Sequence, residues 1–280
     1  MSLIRAALVV VGLLIVAAPG HGQSFTLNAA TQAWLGMWIE AIPNLQIIWM
    51  NPNFCARSGI LCDSKTSTIS IRLDGVQSAG FNFIGTLPEV GSTINGADLQ
   101  ITSISVRGKT RFTGTIPASW STITTLRFLD FSRTGLSGQV PSELGRLTNL
   151  VSADFSNAYF CGDLPSWDVT GMLNLVQARF AKNNLRGSFA SSWSTFPDTL
   201  SLDITENRLC GCMPNSWSDK PNLVAAANAM DRGTVVGCTR SCDLVSMLYC
   251  PTARVASSAQ TVTIGIAHVV FFFVASSLIF

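Results

Sequence analysis

Histidine is all but missing from this sequence. Its two copies, His21 and His268, lie in apolar segments at the two ends. The body of the chain holds none, so a Ser-His triad, a Cys-His dyad and a histidine-ligated metal are excluded there. Charge is scarce as well: Asp, Glu, Lys and Arg make up 12% of the residues against 48% that are hydrophobic. With 18 basic and 16 acidic side chains the net charge is +2. That balance lacks the basic excess a nucleic-acid partner demands and the acidic excess of a disordered tail. No Asn-x-Ser/Thr sequon occurs, so N-glycan shielding is not expected. Zinc spacing is missing too. Cys210, Cys212, Cys238 and Cys242 include a pair separated by one residue, poor for tetrahedral ligation. No metal and no cofactor is expected.

The ends of the sequence are organised for export. Residues 1–22 combine Arg5, an apolar run from Ala6 to Ala18, and small residues Gly20 and Gly22 before Gln23, the layout of a secretory signal peptide. The apolar run is shorter than the roughly twenty residues a membrane span needs. At the other end, Val262 to Phe280 is apolar apart from small polar residues and His268, with no Lys or Arg after it. The small residues Ala256, Ser257, Ser258 and Ala259 precede it. This pattern predicts a GPI-attachment signal, with Ser257 as the preferred site. All eight cysteines (Cys55, Cys62, Cys161, Cys210, Cys212, Cys238, Cys242 and Cys250) lie between these segments. An even count in an exported chain predicts disulfides.

The middle is repetitive. Glycines 85, 114, 138, 162, 187 and 211 are spaced 29, 24, 24, 25 and 24 residues apart. A period near 24 marks a solenoid. Ahead of these glycines one apolar frame recurs: Leu126, Leu129, Phe131, Leu136; Leu150, Ala153, Phe155, Phe160; Leu175, Ala178, Phe180, Leu185; and Leu202, Ile204, Leu209. This is the leucine-rich-repeat pattern L-x-x-L-x-L-x-x-N-x-L. No single unit can bury its apolar face alone, but stacked units share one core. The usual Asn position holds Thr134, Ala158, Asn183 and Asn207. The second half of each unit reads G-x-(Ile/Leu/Val)-Pro followed by Trp or Leu, with Trp120, Leu144, Trp167, Trp193 and Trp217 at that phase and Phe189 in place of Pro in the fifth unit. Such a consensus is plant-type: a short second strand, then a 3₁₀-like turn, with the Trp residues as convex core rather than a sugar-stacking row.

Both ends of a solenoid need caps. Asn28 to Ile42 has helical apolar spacing (Ala30, Trp34, Met37, Trp38, Ala41) and is stopped by Pro43, and a strand is expected from Thr68 to Leu73. Cys55 and Cys62, between helix and strand, match the N-terminal cap of plant-type repeats, which implies that they are bonded to each other. The pairing of the other six cysteines stays open. The expected fold is thus α/β, a leucine-rich-repeat solenoid of the plant-type (24-residue) subclass with disulfide-bonded N- and C-terminal caps. Its divisions are a signal peptide over 1–22, an N-terminal cap over 23–75, repeats over 76–217, a Cys-rich cap and spacer over 218–256, and a GPI signal over 257–280.

The run Cys210-Gly211-Cys212-Met213-Pro214-Asn215-Ser216-Trp217, Thr134 in the Asn place, the P-x-x-W turns and the framing end segments resemble the promastigote surface antigen family of trypanosomatids. The resemblance covers nearly the whole chain, which departs from it by lacking a long Thr/Pro-rich stalk and having only about six repeats. It implies a GPI-anchored or shed surface protein whose repeats recognise proteins, with host receptors and complement-type partners as expected ligands. Stacking predicts columns of side chains about 4.8 Å apart on the concave face: Asp130, Asp154, Arg179, Asp203; then Phe128, Ser152, Gln177, Ser201; then Arg133, Asn157, Lys182, Glu206. The mixed polarity suits a protein or glycan partner. An enzyme would have to use Asp130 and Asp154 as a glycosidase pair, about 5 Å apart, on an open face that offers little desolvation. Adhesion or recognition without catalysis is therefore the expected function. Inhibition of a secreted glycosidase, by resemblance to polygalacturonase inhibitors, and a structural coat are the alternatives.

Overall fold

The structure is a computed structural model that describes residues 25–76, 83–210 and 212–230. Helix α1, Ala29–Ala41, begins where Asn28 caps it by accepting a hydrogen bond from the Thr31 amide at 2.8 Å, and it stops two residues before Pro43. Its Trp34, Leu35 and Trp38 face is wholly buried. A single turn, α2 (Leu45–Ile48), leads to the Cys55–Cys62 disulfide expected from the cap pattern. Strand β1 (Ile60–Asp63), which the sequence pattern did not suggest, then pairs antiparallel with β2 (Thr68–Arg72). Leu73, expected within that strand, instead opens a 3₁₀ turn.

From β2 onward the concave sheet is parallel: β3 (Ile101–Ser105), β4 (Phe128–Asp130), β6 (Ser152–Asp154), β8 (Gln177–Arg179) and β10 (Ser201–Asp203) follow in spatial order. A second sheet is formed by β5 (Ser137–Gly138), β7 (Tyr159–Gly162) and β9 (Asn184–Leu185). This is the second strand of the plant-type consensus. Glycines 114, 138 and 162 take φ of 85°, 82° and 80°, a conformation that L side chains rarely adopt. Gly187 is constrained differently, since a Cβ there would lie 1.5 Å from Asp163 Oδ1.

The 3₁₀ turns Ala118–Thr122, Ser142–Arg146, Ser191–Thr195 and Asn215–Trp217 form the convex side. At this phase Trp120, Trp167, Trp193 and Trp217 are fully buried and tie their units to the one before, while Leu144 fills it in the Ser142–Arg146 turn. Trp120 Nε1 donates to the Pro88 carbonyl at 2.7 Å, Trp167 to Pro141 at 3.3 Å, Trp193 to Pro165 at 2.8 Å and Trp217 to Ala190 at 3.2 Å. A buried N–H without a partner is costly, so this ladder sets the stacking register as well as the core volume. It also corrects the reading of the fifth unit. Ala190, not Phe189, occupies the proline phase: it precedes its 3₁₀ turn as Pro117 and Pro141 precede theirs, while Phe189 fills the apolar position before it. On the inner side Phe131, Phe155 and Phe180 stack with centroids 5.8 and 5.4 Å apart.

The departures at the Asn phase are resolved in two ways, by a neighbouring unit at Ala158 and within the unit at Thr134. Asn183 accepts from the Phe160 amide at 3.0 Å and donates to the carbonyls of Phe155 at 2.8 Å and Phe180 at 2.9 Å, so it serves the loop that Ala158 cannot. Thr134 bonds its own loop through Phe131 O at 2.7 Å. Helix α3, Pro221–Asn228, then closes the described solenoid against β10. Asn222 donates to Leu200 O at 2.9 Å, as Asn149 does to Thr124 O and Asn174 to Thr148 O. The helix therefore enters at the phase of a further repeat and turns away where the next strand would lie, with Pro221 in its first turn.

Candidate functional site

The concave sheet places two of the three sequence-expected columns in strand register. Phe128 lies beside Ser152, Gln177 and Ser201, and Asp130 beside Asp154, Arg179 and Asp203. The apolar residues between these columns, Leu129, Ala153, Ala178 and Leu202, point into the core.

The aspartates have a local duty. Asp130 Oδ1 accepts from the Ser132 amide at 3.0 Å and hydroxyl at 2.6 Å; Asp154 Oδ1 does the same with Ser156, at 2.9 and 2.6 Å; Asp203 Oδ1 does so with Thr205, at 3.1 and 2.7 Å. Each lock fixes the turn that follows its strand. Where the column carries Arg179 instead, the partner two residues on is Ala181, so acid and hydroxyl are lost together. Of the two carboxylates beside Arg179 only Asp154 pairs with it, at 3.5 Å.

The third column is defined by backbone. Arg133, Asn157, Lys182 and Glu206 have φ of 58°, 55°, 58° and 52°, and Gly108, three residues beyond Ser105, holds the same phase at 74°. The amides of Arg133, Asn157 and Lys182 donate to the next unit at 2.8–2.9 Å, which holds the chain in this otherwise strained conformation. All four side chains are exposed. Lys182 and Glu206 form an ion pair at 3.2 Å, an exposed contact worth only about 0–1 kcal/mol.

A groove of about 450 Å³ crosses the face, and its amino-terminal half was missed by the sequence columns. Phe128, Asp130, Asp154, Gln177 and Arg179 line it together with Leu61, Ser70, Arg72, Ser103, Ser105 and Arg107. The missing signal was present in Ile101-x-x-Ile104-x-Val106, the same frame as Leu126-x-x-Leu129-x-Phe131. The long 29-residue first interval obscured it, and nothing in the repeat pattern foretells the antiparallel β1 that adds Leu61. Phe128 is 43% and Leu61 54% exposed, large for apolar side chains on a sheet. Arg127 lies 5.7 Å from the Phe128 ring centroid.

Cys161, Cys210 and Cys212 are disulfide-bonded, and none of the described cysteines is free. Cys238, Cys242, Cys250, Ser257, the signal peptide and the GPI signal lie outside the described residues. No described helix is long and apolar enough to cross a membrane.

The Leucine Rich Repeat family profile matches residues 125–147. The Surface membrane glycoprotein GP46/M-2 of Leishmania amazonensis is 30% identical over 101 residues, covering 36% of this chain and 20% of that protein. The chain thus aligns with about a fifth of that relative's length. Among solved structures, a plant ice-binding protein superposes with a TM-score of 0.56 at 23% identity over 68% of this chain and 60% of its own. The Arabidopsis receptor kinase HAESA, solved with the peptide hormone IDA and the co-receptor SERK1, gives 0.53 at 19% identity over 72% and 33%. These matches establish the leucine-rich-repeat fold.

Proposed function

We propose that this protein is a cell-surface recognition module that binds an extracellular protein partner through its concave sheet and performs no chemistry. The observation that carries the reading is the groove itself. It is open and lined by both charges and by exposed Phe128 and Leu61, a mixture that suits a macromolecular partner with complementary charge. The glycosidase alternative loses support because Asp130 and Asp154 both act as acceptors that hold their own loops. Their roles therefore look alike, whereas a glycosidase pair needs two carboxyls with distinct roles. Similarity to a surface membrane glycoprotein supports a cell-surface location. A GPI anchor at Ser257, host receptors or complement-type proteins as partners, and a glycan as second ligand class belong to the same proposal. So do the division of the chain at residues 22, 75, 217 and 256 and the disulfide-bonded C-terminal cap.

The test is binding of the secreted form, residues 23–256, to host cells and to a glycan array. It is run beside a variant carrying Asp154→Ala, Arg179→Ala and Asp203→Ala. Native binding with loss in the folded variant supports the concave face. Native binding that survives in the variant moves recognition away from the Asp154–Asp203 half of that face, and no binding by either form favours a structural coat. Release of the protein from cells by phosphatidylinositol-specific phospholipase C tests the anchor.

A further inference from the structure

The column that carries Asp130, Asp154, Arg179 and Asp203 continues towards the amino terminus through Ser105 on β3 and Arg72 on β2. Ser105 is the short member of this row. It is only 6% exposed, it lines the groove, and its Oγ has no hydrogen-bond partner. Buried hydroxyls are normally satisfied, and one left open at the floor of a groove points to a group supplied from outside. At the position where the following units place Ser132, Ser156 and Thr205 to occupy their aspartates, this unit places Arg107. The swap of acid for Ser105 and hydroxyl for Arg107 reverses the chemistry of the lock. An acceptor is missing on the strand, and a cationic donor stands two residues on.

The surrounding charges favour an anion. Arg107 is exposed, has no carboxylate within ion-pair distance among the described residues, and lines the groove with Arg72. Arg72 meets Asp74 through Nη2 at 3.5 Å, a half-exposed contact that leaves the rest of its five-donor fork available. Asp130, the acid nearest in the row, has Oδ1 engaged by Ser132. Phe128 and Leu61 supply apolar surface on the same groove.

Resting on the reading that the concave face recognises a protein, we propose that the notch over Ser105 receives a Glu or Asp side chain from an extended segment of the partner. The ligand carboxylate pairs with Arg72 and Arg107 and, with a shift of the groove lining that uncovers it, accepts from the Ser105 hydroxyl, which is buried in the free protein. An apolar neighbour in the same segment covers Phe128 and Leu61. The partner is thus an acidic peptide segment that alternates carboxylate and apolar side chains, and the notch takes the place of the lock that the units of β4, β6 and β10 close internally.

The test uses the full chain produced through a secretory host so that its disulfides form. Its probe is fluorescein-labelled, amide-capped Leu-Glu-Leu-Glu-Leu, compared by anisotropy with the Gln-substituted twin. The Glu peptide is expected to bind about tenfold or more tightly than the twin, as charge-assisted bonds require. Ser105→Ala should weaken it about fivefold with an unchanged melting temperature, because it deletes an unpartnered hydroxyl. Ser105→Asp and Arg107→Ser should each abolish the preference. Equal binding of the two peptides, or a preference that survives Ser105→Asp and Arg107→Ser, overturns the proposal. A preference confined to uncapped peptides assigns the site to a chain terminus and overturns it as well. The broader reading is scored separately, by host-cell binding of the Asp154, Arg179, Asp203 variant. If that variant loses cell binding while the Glu preference is absent, the notch fails and the recognition face stands.

Discussion

Asn183 shows how one side chain can serve two units. It accepts from Phe160 and donates to Phe155, Phe180 and Ala181. Phe180 and Ala181 keep other donors in Asn207 and the Asn157 amide, so Asn183→Ala should cost about 1–3 kcal/mol by stranding the Phe160 amide and the Phe155 carbonyl. The cost is measured as the shift of the urea midpoint at constant slope, and a change under a few tenths would refute the shared-loop account. Asp168 makes a pH-dependent contribution. The Thr170 hydroxyl, together with the amides of Gly171 and Thr170, holds its carboxyl below the ordinary aspartate range. A carboxyl lowered on folding stabilises the native state above its unfolded pKa, and the benefit is lost as pH falls through the folded value. Thr170→Val should move the Asp168 titration upward in an NMR pH series, and an unmoved curve would show that the hydroxyl is not the cause.

At the scale of elements, the indole bonds on the convex side tie units together, and the Asp-x-Ser/Thr locks on the concave side fix the turns within them. Ala190 is the one acceptor among the four indole bonds that is not a proline. Its φ of −77° and ψ of 121° are close to those of Pro117, at −67° and 130°, and its amide donates no hydrogen bond among the described residues. Ala190→Pro should therefore stabilise the protein by about 0.4–1 kcal/mol through the unfolded chain. Calorimetry reading a lower melting temperature would mean that Phe189 cannot take the extended backbone a following proline requires. The amino-terminal cap depends on covalent closure as well as on packing. Replacing Cys55 and Cys62 together with Ser should cost about 2–3 kcal/mol, as expected for so short a closed loop. Native-state hydrogen exchange should place the loss in β1 and β2 first, because β1 is the edge of the sheet.

At the scale of the molecule, the face has two unlike halves. From β4 onward the acids are occupied by hydroxyls or by Arg179. Towards the amino terminus, Arg72, Arg107 and the open Ser105 hydroxyl leave donors unused. A partner read by this face should thus bind with an affinity that falls as salt screens the cationic half. Surface plasmon resonance at low and physiological ionic strength measures the effect, and a salt-independent affinity would transfer the energetics to Phe128 and Leu61.

The sequence by itself determined the repeat, its period, the convex Trp phase, the capping helix and three aligned columns, because each depends on local spacing that stacking merely repeats. Asp130 and Asp154 were legible as neighbours for that reason, whereas the Cys55–Cys62 bond followed from the resemblance to plant-type caps. What only the tertiary structure decided depends on contacts between units. Asn183 compensates for Ala158, β1 folds back to add Leu61, and α3 replaces the next strand at Asn222. The concave sheet also begins earlier than the regular repeats, which brings Arg72, Ser105 and Arg107 into one groove. Residues 33 and 35 positions apart become neighbours only when parallel strands stack, and no pattern within a single unit carries that distance.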